Sequence, residues 1–76
     1  MTLYDITNGP MIQGDIELLI LDNNQKATKS VFIACADDLS FDRQAQEYME
    51  LEVLYMHATT RNRRGVLVIE LLDEEA

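Results

Sequence analysis

The sequence predicts an α+β domain: a four-stranded antiparallel sheet in the chain order ββαββ, with one short amphipathic helix. Three observations carry this reading. Residues 11–22, MIQGDIELLILD, alternate with the period of a half-buried strand. The apolar run Val31–Ala36 follows within hairpin distance. Past a helical stripe, two further strand-like runs are separated by a polar turn.

Residues 1–10 lead in. Leu3, Tyr4 and Ile6 are apolar, and Asn8-Gly9-Pro10 is a strong turn signal. A single helical turn or a short edge segment here would let Leu3 and Ile6 cover one end of the core. In the first strand Ile12, Gly14, Ile16, Leu18 and Ile20 share one side. Met11, Gln13, Asp15 and Glu17 share the other, until Leu19 and Leu21 make that side apolar too. Gly14 suggests a bulge or the close approach of another backbone. Residues 22–26, DNNQK, form the first turn. The second strand runs from Thr28 to Ala36. It is apolar on both faces after Val31, so it should be central or covered on both sides.

Asp37-Asp38-Leu39-Ser40 ends that strand. Ser40 suits a helix N-cap, with Asp42 near the positive end of the helix dipole. Phe41, Ala45, Tyr48 and Met49 then form one helical stripe of about three turns. Leu51–Thr59 alternates again, Thr60–Gly65 is a polar turn, and Val66–Leu72 is an apolar last strand. Asp73–Ala76 is an acidic tail expected to fray. One helix cannot cover both faces. Leu19, Leu21, Phe32, Leu67, Ile69 and Leu71 supply more apolar surface than it would bury, so the sheet either curls into a small barrel or offers a face to a partner.

Seventy-six residues make one domain, spanning 1–76. A chain this short buries only about 60% of its unfolded surface. Cys35 is the single cysteine, which excludes an internal disulfide and fits a reducing compartment. The start lacks the basic and apolar regions of a signal peptide, and no apolar run approaches a membrane span. A cytoplasmic location is expected.

No catalytic or cofactor motif is present, and a non-enzymatic role is expected. Cys35 and His57 could form a thiol–imidazole pair, but a cysteine in an apolar strand reads as packing. Asp37, Asp38 and Asp42 could approach a hard cation, but the loop lacks the turning glycine of calcium sites. No catalytic, cofactor or metal residue is therefore assigned.

Charge is the strongest global feature. Fourteen acids face six bases, a net charge of −8 that repels phosphates and attracts basic surfaces. Asp37, Asp38, Asp42, Glu47, Glu50 and Glu52 are offset only by Arg43 and are the candidate partner contacts. The competing reading is a solvated helix face that serves solubility. Arg61, Arg63 and Arg64 form the one basic cluster, a candidate phosphate contact inside a repelling field.

The segments LYDITN and IQGDIEL, within Leu3–Leu18, resemble small acidic accessory proteins of phages and conjugative elements of gut bacteria, with weaker echoes at Leu51–Tyr55 and the acidic end. The resemblance implies a mobile-element context, in which such proteins include anti-CRISPR inhibitors, and it transfers no catalytic residue. The leading expectation is an acidic module, a DNA mimic in effect, that binds a basic surface of a host nucleic-acid enzyme. The alternatives are an assembly subunit that self-associates through a sheet face or edge, and a small nucleic-acid-binding regulator using the arginines.

Overall fold

In the computed structural model, residues 1–7, 14–34, 39 and 41–74 are described. The elements are α1 (Leu3–Thr7), β1 (Asp15–Leu21), β2 (Ala27–Ile33), α2 (Arg43–Gln46), β3 (Glu52–Arg61) and β4 (Arg64–Leu72). The expectations placed on Asn8-Gly9-Pro10, Cys35 and Ser40 lie outside the described residues.

The α+β class holds, but the sheet is mixed rather than antiparallel. Its order is β2-β1-β4-β3. β1 pairs antiparallel with β2, and β3 with β4, while β1 and β4 run parallel at the centre, Asp15 beside Val66 through Leu21 beside Leu72. The physical reason is burial. β1 is buried along nearly its whole length and β4 is buried or half-buried from Val66 onward, whereas β2 shows only Val31 and Ile33 buried. Seating the two most apolar strands side by side hides both from water, and near-continuous apolar runs are the mark of such central strands. β2, expected to be central or covered on both sides, is an edge strand with Phe32 54% exposed.

One sheet face carries Ile16, Leu18 and Ile20 from β1, Val31 and Ile33 from β2, and Ile69 and Leu71 from β4, all at most 3% exposed. Leu3, Ile6, Leu39, Ala45, Tyr48 and Met49 cover them. The lead-in is a helical turn as the sequence suggested. Thr2 and Asp5 cap it reciprocally: the Thr2 N–H donates to Asp5 Oδ2 at 2.9 Å, and the Asp5 N–H reaches Thr2 Oγ1 at 3.4 Å. This is a capping box with aspartate in the acidic position. The Thr2 hydrogen bonds hold the Asp5 carboxyl below its ordinary value, backbone first, against slight desolvation.

The second helix is shorter than predicted and starts later. Asp42 is its N-cap, accepting from the N–H groups of Gln44 and Ala45 at 2.9 and 3.0 Å. The stripe survives at Ala45, Tyr48 and Met49, but Phe41 is 81% exposed. Single turns from Glu47 to Leu51 replace the rest of the expected helix beyond its first turn, closed by Tyr48 N–H to Ala45 O and Leu51 N–H to Tyr48 O. These residues lead directly into β3, whose first residue bridges Thr2.

Gly14 precedes β1 with φ +94°. A Cβ there would stand 3.9 Å from Gly65 O, an ordinary contact, so the backbone angle rather than crowding asks for glycine.

Candidate functional site

The uncovered sheet face is the first place where charge is organised. Asp15 and Glu17 stand on it, as the alternation requires, yet they are only 4% and 6% exposed. Across the sheet Glu17 lies between Phe32 and Val68, and Val68 faces His57. The arginines of the β3–β4 turn fold back over both acids. Arg64 grips Asp15 with two contacts, Nε to Oδ2 at 3.2 Å and Nη2 to Oδ1 at 3.4 Å. Arg61 Nη1 meets Glu17 Oε2 as an ion pair. That oxygen is fully buried and accepts no hydrogen bond of good geometry, so its charge is met by Coulombic contact alone. Both arginines remain more than half exposed. His57 is mid-strand, stacked on Tyr55 with ring centroids 5.6 Å apart, and its Nε2 lies 3.5 Å from Glu70 Oε2.

These pairs decide what the basic cluster can do. Two of its three members are committed to carboxylates of the same chain. Arg63, at φ 67° in the turn, has no ion pair among the described residues. A phosphate arriving here would meet one guanidinium without an ion pair among the described residues, Arg63, not the three free guanidinium groups that the sequence suggests.

Four of the six predicted acidic contacts, Asp42, Glu47, Glu50 and Glu52, lie within the described residues. Asp37 and Asp38 lie outside the described residues. The Asp42 carboxylate is spent on the helix cap. Glu47 lies within electrostatic reach of Lys29, whose Nζ sits 5.6 Å from the Tyr48 ring centre. Side-chain hydrogen bonding to Tyr48 is the main cause that raises the Lys29 ammonium above its ordinary value.

Glu50 and Glu52 do come together, and with acids the sequence analysis did not assign. They line a groove of about 430 Å³ with Asp73, Glu74, Leu51 and Leu72. Two hydrogen bonds hold Asp73 and Glu74 beside the β1–β2 turn. The Asp73 N–H donates to Leu21 O at 2.8 Å, and Asn23 Nδ2 donates to Glu74 O at 3.1 Å. β4 is thereby tied to the β1–β2 turn, where Asp22 accepts from the N–H groups of Asn24 and Lys26. Among the described residues, no cationic side chain lines the groove. The sheet is therefore polarised: a carboxylate-rimmed groove at the end where β3 begins, and the arginine turn at the end where β3 finishes.

Among the described residues, no group of three or more histidine, cysteine, aspartate or glutamate side chains is arranged to hold a metal ion, and no helix is long and apolar enough to cross a membrane. No family model, curated protein or solved structure matches the chain.

Proposed function

We propose that this chain is a non-enzymatic interaction module that binds a basic protein surface through Glu50, Glu52, Asp73 and Glu74. The observation that carries the reading is the convergence of these four carboxylates on one groove that, among the described residues, no cationic side chain lines. Leu51 and Leu72 lie between them. An apolar floor with an acidic rim suits arginine and lysine, whose stems pack on apolar surface while the charged head stays at the edge. The net charge of −8 adds long-range attraction that speeds encounter with a basic partner and repels free nucleic acid. The resemblance at Leu3–Leu18 supplies the context: a mobile-element inhibitor whose partner is a host nucleic-acid enzyme, its phosphate-binding surface occupied by carboxylates.

The test is a paired capture from bacterial lysate, with the native chain and a Glu50→Gln, Glu52→Gln, Asp73→Asn, Glu74→Gln variant as baits. The expected result is a basic protein held by the native chain at low salt, released at high salt by screening, and missed by the variant. Equal capture by both baits would overturn the proposal, as would empty native bait at low salt.

A further inference from the structure

We infer that the cavity beside the β3–β4 turn receives a donor-bearing aromatic side chain of a protein partner, the indole of tryptophan fitting best. The cavity holds about 470 Å³, within the roughly 300–1,000 Å³ usual for ligand sites. It crosses all four strands at the end where β3 finishes. Phe32 and Ala34 come from the β2 side, Asp15 and Val66 from the central strands, and Arg61 and Arg64 from the hairpin. It stands apart from the acidic groove, which none of these residues lines.

The lining sorts the ligands. A phosphate or carboxylate needs free guanidinium edges, and those of Arg61 and Arg64 are engaged by Glu17 and Asp15. A cation meets no surplus of carboxylate, because those two acids face those two arginines. What pairing leaves is the flat guanidinium faces. Arg64 is held by one edge, with Nε and Nη2 each on one oxygen of Asp15. A guanidinium so held still stacks on a ring, and tryptophan gives the strongest cation–π contact. Phe32, 54% exposed, offers a second ring for offset or edge-to-face packing. Asp15 lines the cavity although it is only 4% exposed. Among the described residues Arg64 is its ion-pair partner, and a carboxylate has about four lone-pair sites, so it can also accept the N–H of the ring. The ring comes on a protein rather than a nucleic acid, because a net charge of −8 repels the phosphates that accompany nucleobases.

The chain has no tryptophan, so the fluorescence anisotropy of added N-acetyl-tryptophanamide reads binding directly. The anisotropy should rise and saturate as the full chain is titrated to millimolar concentration. Phe32→Ser removes the ring of the cavity and Ala34→Gln narrows it, both from exposed positions. Each should weaken binding about threefold to tenfold, with the circular dichroism of the sheet unchanged. The probe methylated on its indole nitrogen lacks the N–H and should bind at least about threefold more weakly to the native chain. No rise in anisotropy at millimolar chain would overturn the inference. So would binding that both variants leave intact, a methylated probe that binds as tightly, or displacement of the probe by guanosine at a concentration below the probe's own.

Discussion

Arg61→Ala isolates what the buried Glu17 does to this fold. Glu17 is 6% exposed, and among the described residues its Oε2 forms an ion pair with the Arg61 guanidinium and accepts no hydrogen bond. Removing one partner of a fully buried pair costs about 3–5 kcal/mol, because the remaining charge is left without compensation. Arg61 is 54% exposed, so water reaches the pair from one side and the expected loss falls to about 1–3 kcal/mol. For a domain of this size that lowers the melting temperature by roughly 5–20 °C. Glu17→Leu should behave oppositely. Its cross-strand neighbours are Phe32 and Val68, so leucine meets apolar surface and the change is neutral or stabilising, by up to about 4 kcal/mol. In the Glu17→Leu background, Arg61→Ala should then cost no more than about 0.5 kcal/mol. Thermal melts of the four proteins at one fixed protein concentration, followed by circular dichroism, close the cycle. An equal loss from Arg61→Ala in both backgrounds would refute the reasoning, and so would a clear destabilisation by Glu17→Leu.

Leu18→Ala removes a side chain with no exposure at the centre of the covered face and should cost about 2–5 kcal/mol, a large share of the roughly 5–15 kcal/mol that holds a small domain together; urea titration measures it. Asp42→Ala strips two backbone N–H groups of their acceptor and should cost about 1 kcal/mol by the same assay, whereas Asp42→Asn should recover most of it. Asp5 is held below its ordinary value of 3.8, so its stabilisation is present above that pH and is lost as pH falls through the lower folded value. Asp5→Asn should flatten that part of the acid limb in melts taken between pH 5 and roughly pH 2, and an unchanged limb would remove the capping role.

The strands were legible because three of them keep strong alternation or long apolar runs. Ile16, Leu18 and Ile20 occupy the covered face that their period assigns them. Strand neighbours were not legible in the same way. Two hairpins joined by a helical segment can meet along several edges, and local pattern does not choose among them. The choice rests on which strands hide best, and the signal was there: β1 and β4 are each broken by a single acid among their apolar residues beyond Asp15 and Gly65. Val31–Ala36 misled because an apolar stretch on an edge strand reads like one at the centre. The helix was over-extended because Phe41 fits the stripe by spacing while the Asp42 cap starts the helix after it. At the groove, Glu50 and Glu52 could be read as acids close in sequence. Asp73 and Glu74 join them because Leu72 pairs with Glu52 in the antiparallel β3–β4 hairpin, and the parallel pairing of Leu72 with Leu21 brings the β1–β2 turn alongside. The Asp15–Arg64 and Glu17–Arg61 pairs depend on the same seam.

That seam sets the order in which the molecule can be made. β1 emerges from the ribosome long before β4, and its inner neighbour is the last strand of the sheet. Until β4 arrives, the β1–β2 hairpin has one side of β1 unsatisfied and Ile16, Leu18 and Ile20 only partly covered. Closing the centre also requires the longest loop in the fold, which slows folding relative to a sheet built from neighbouring hairpins. A chain that lacks β4 thus exposes one side of β1, and the two hairpins are the fragments in which complementation, or mispairing with another chain, would begin.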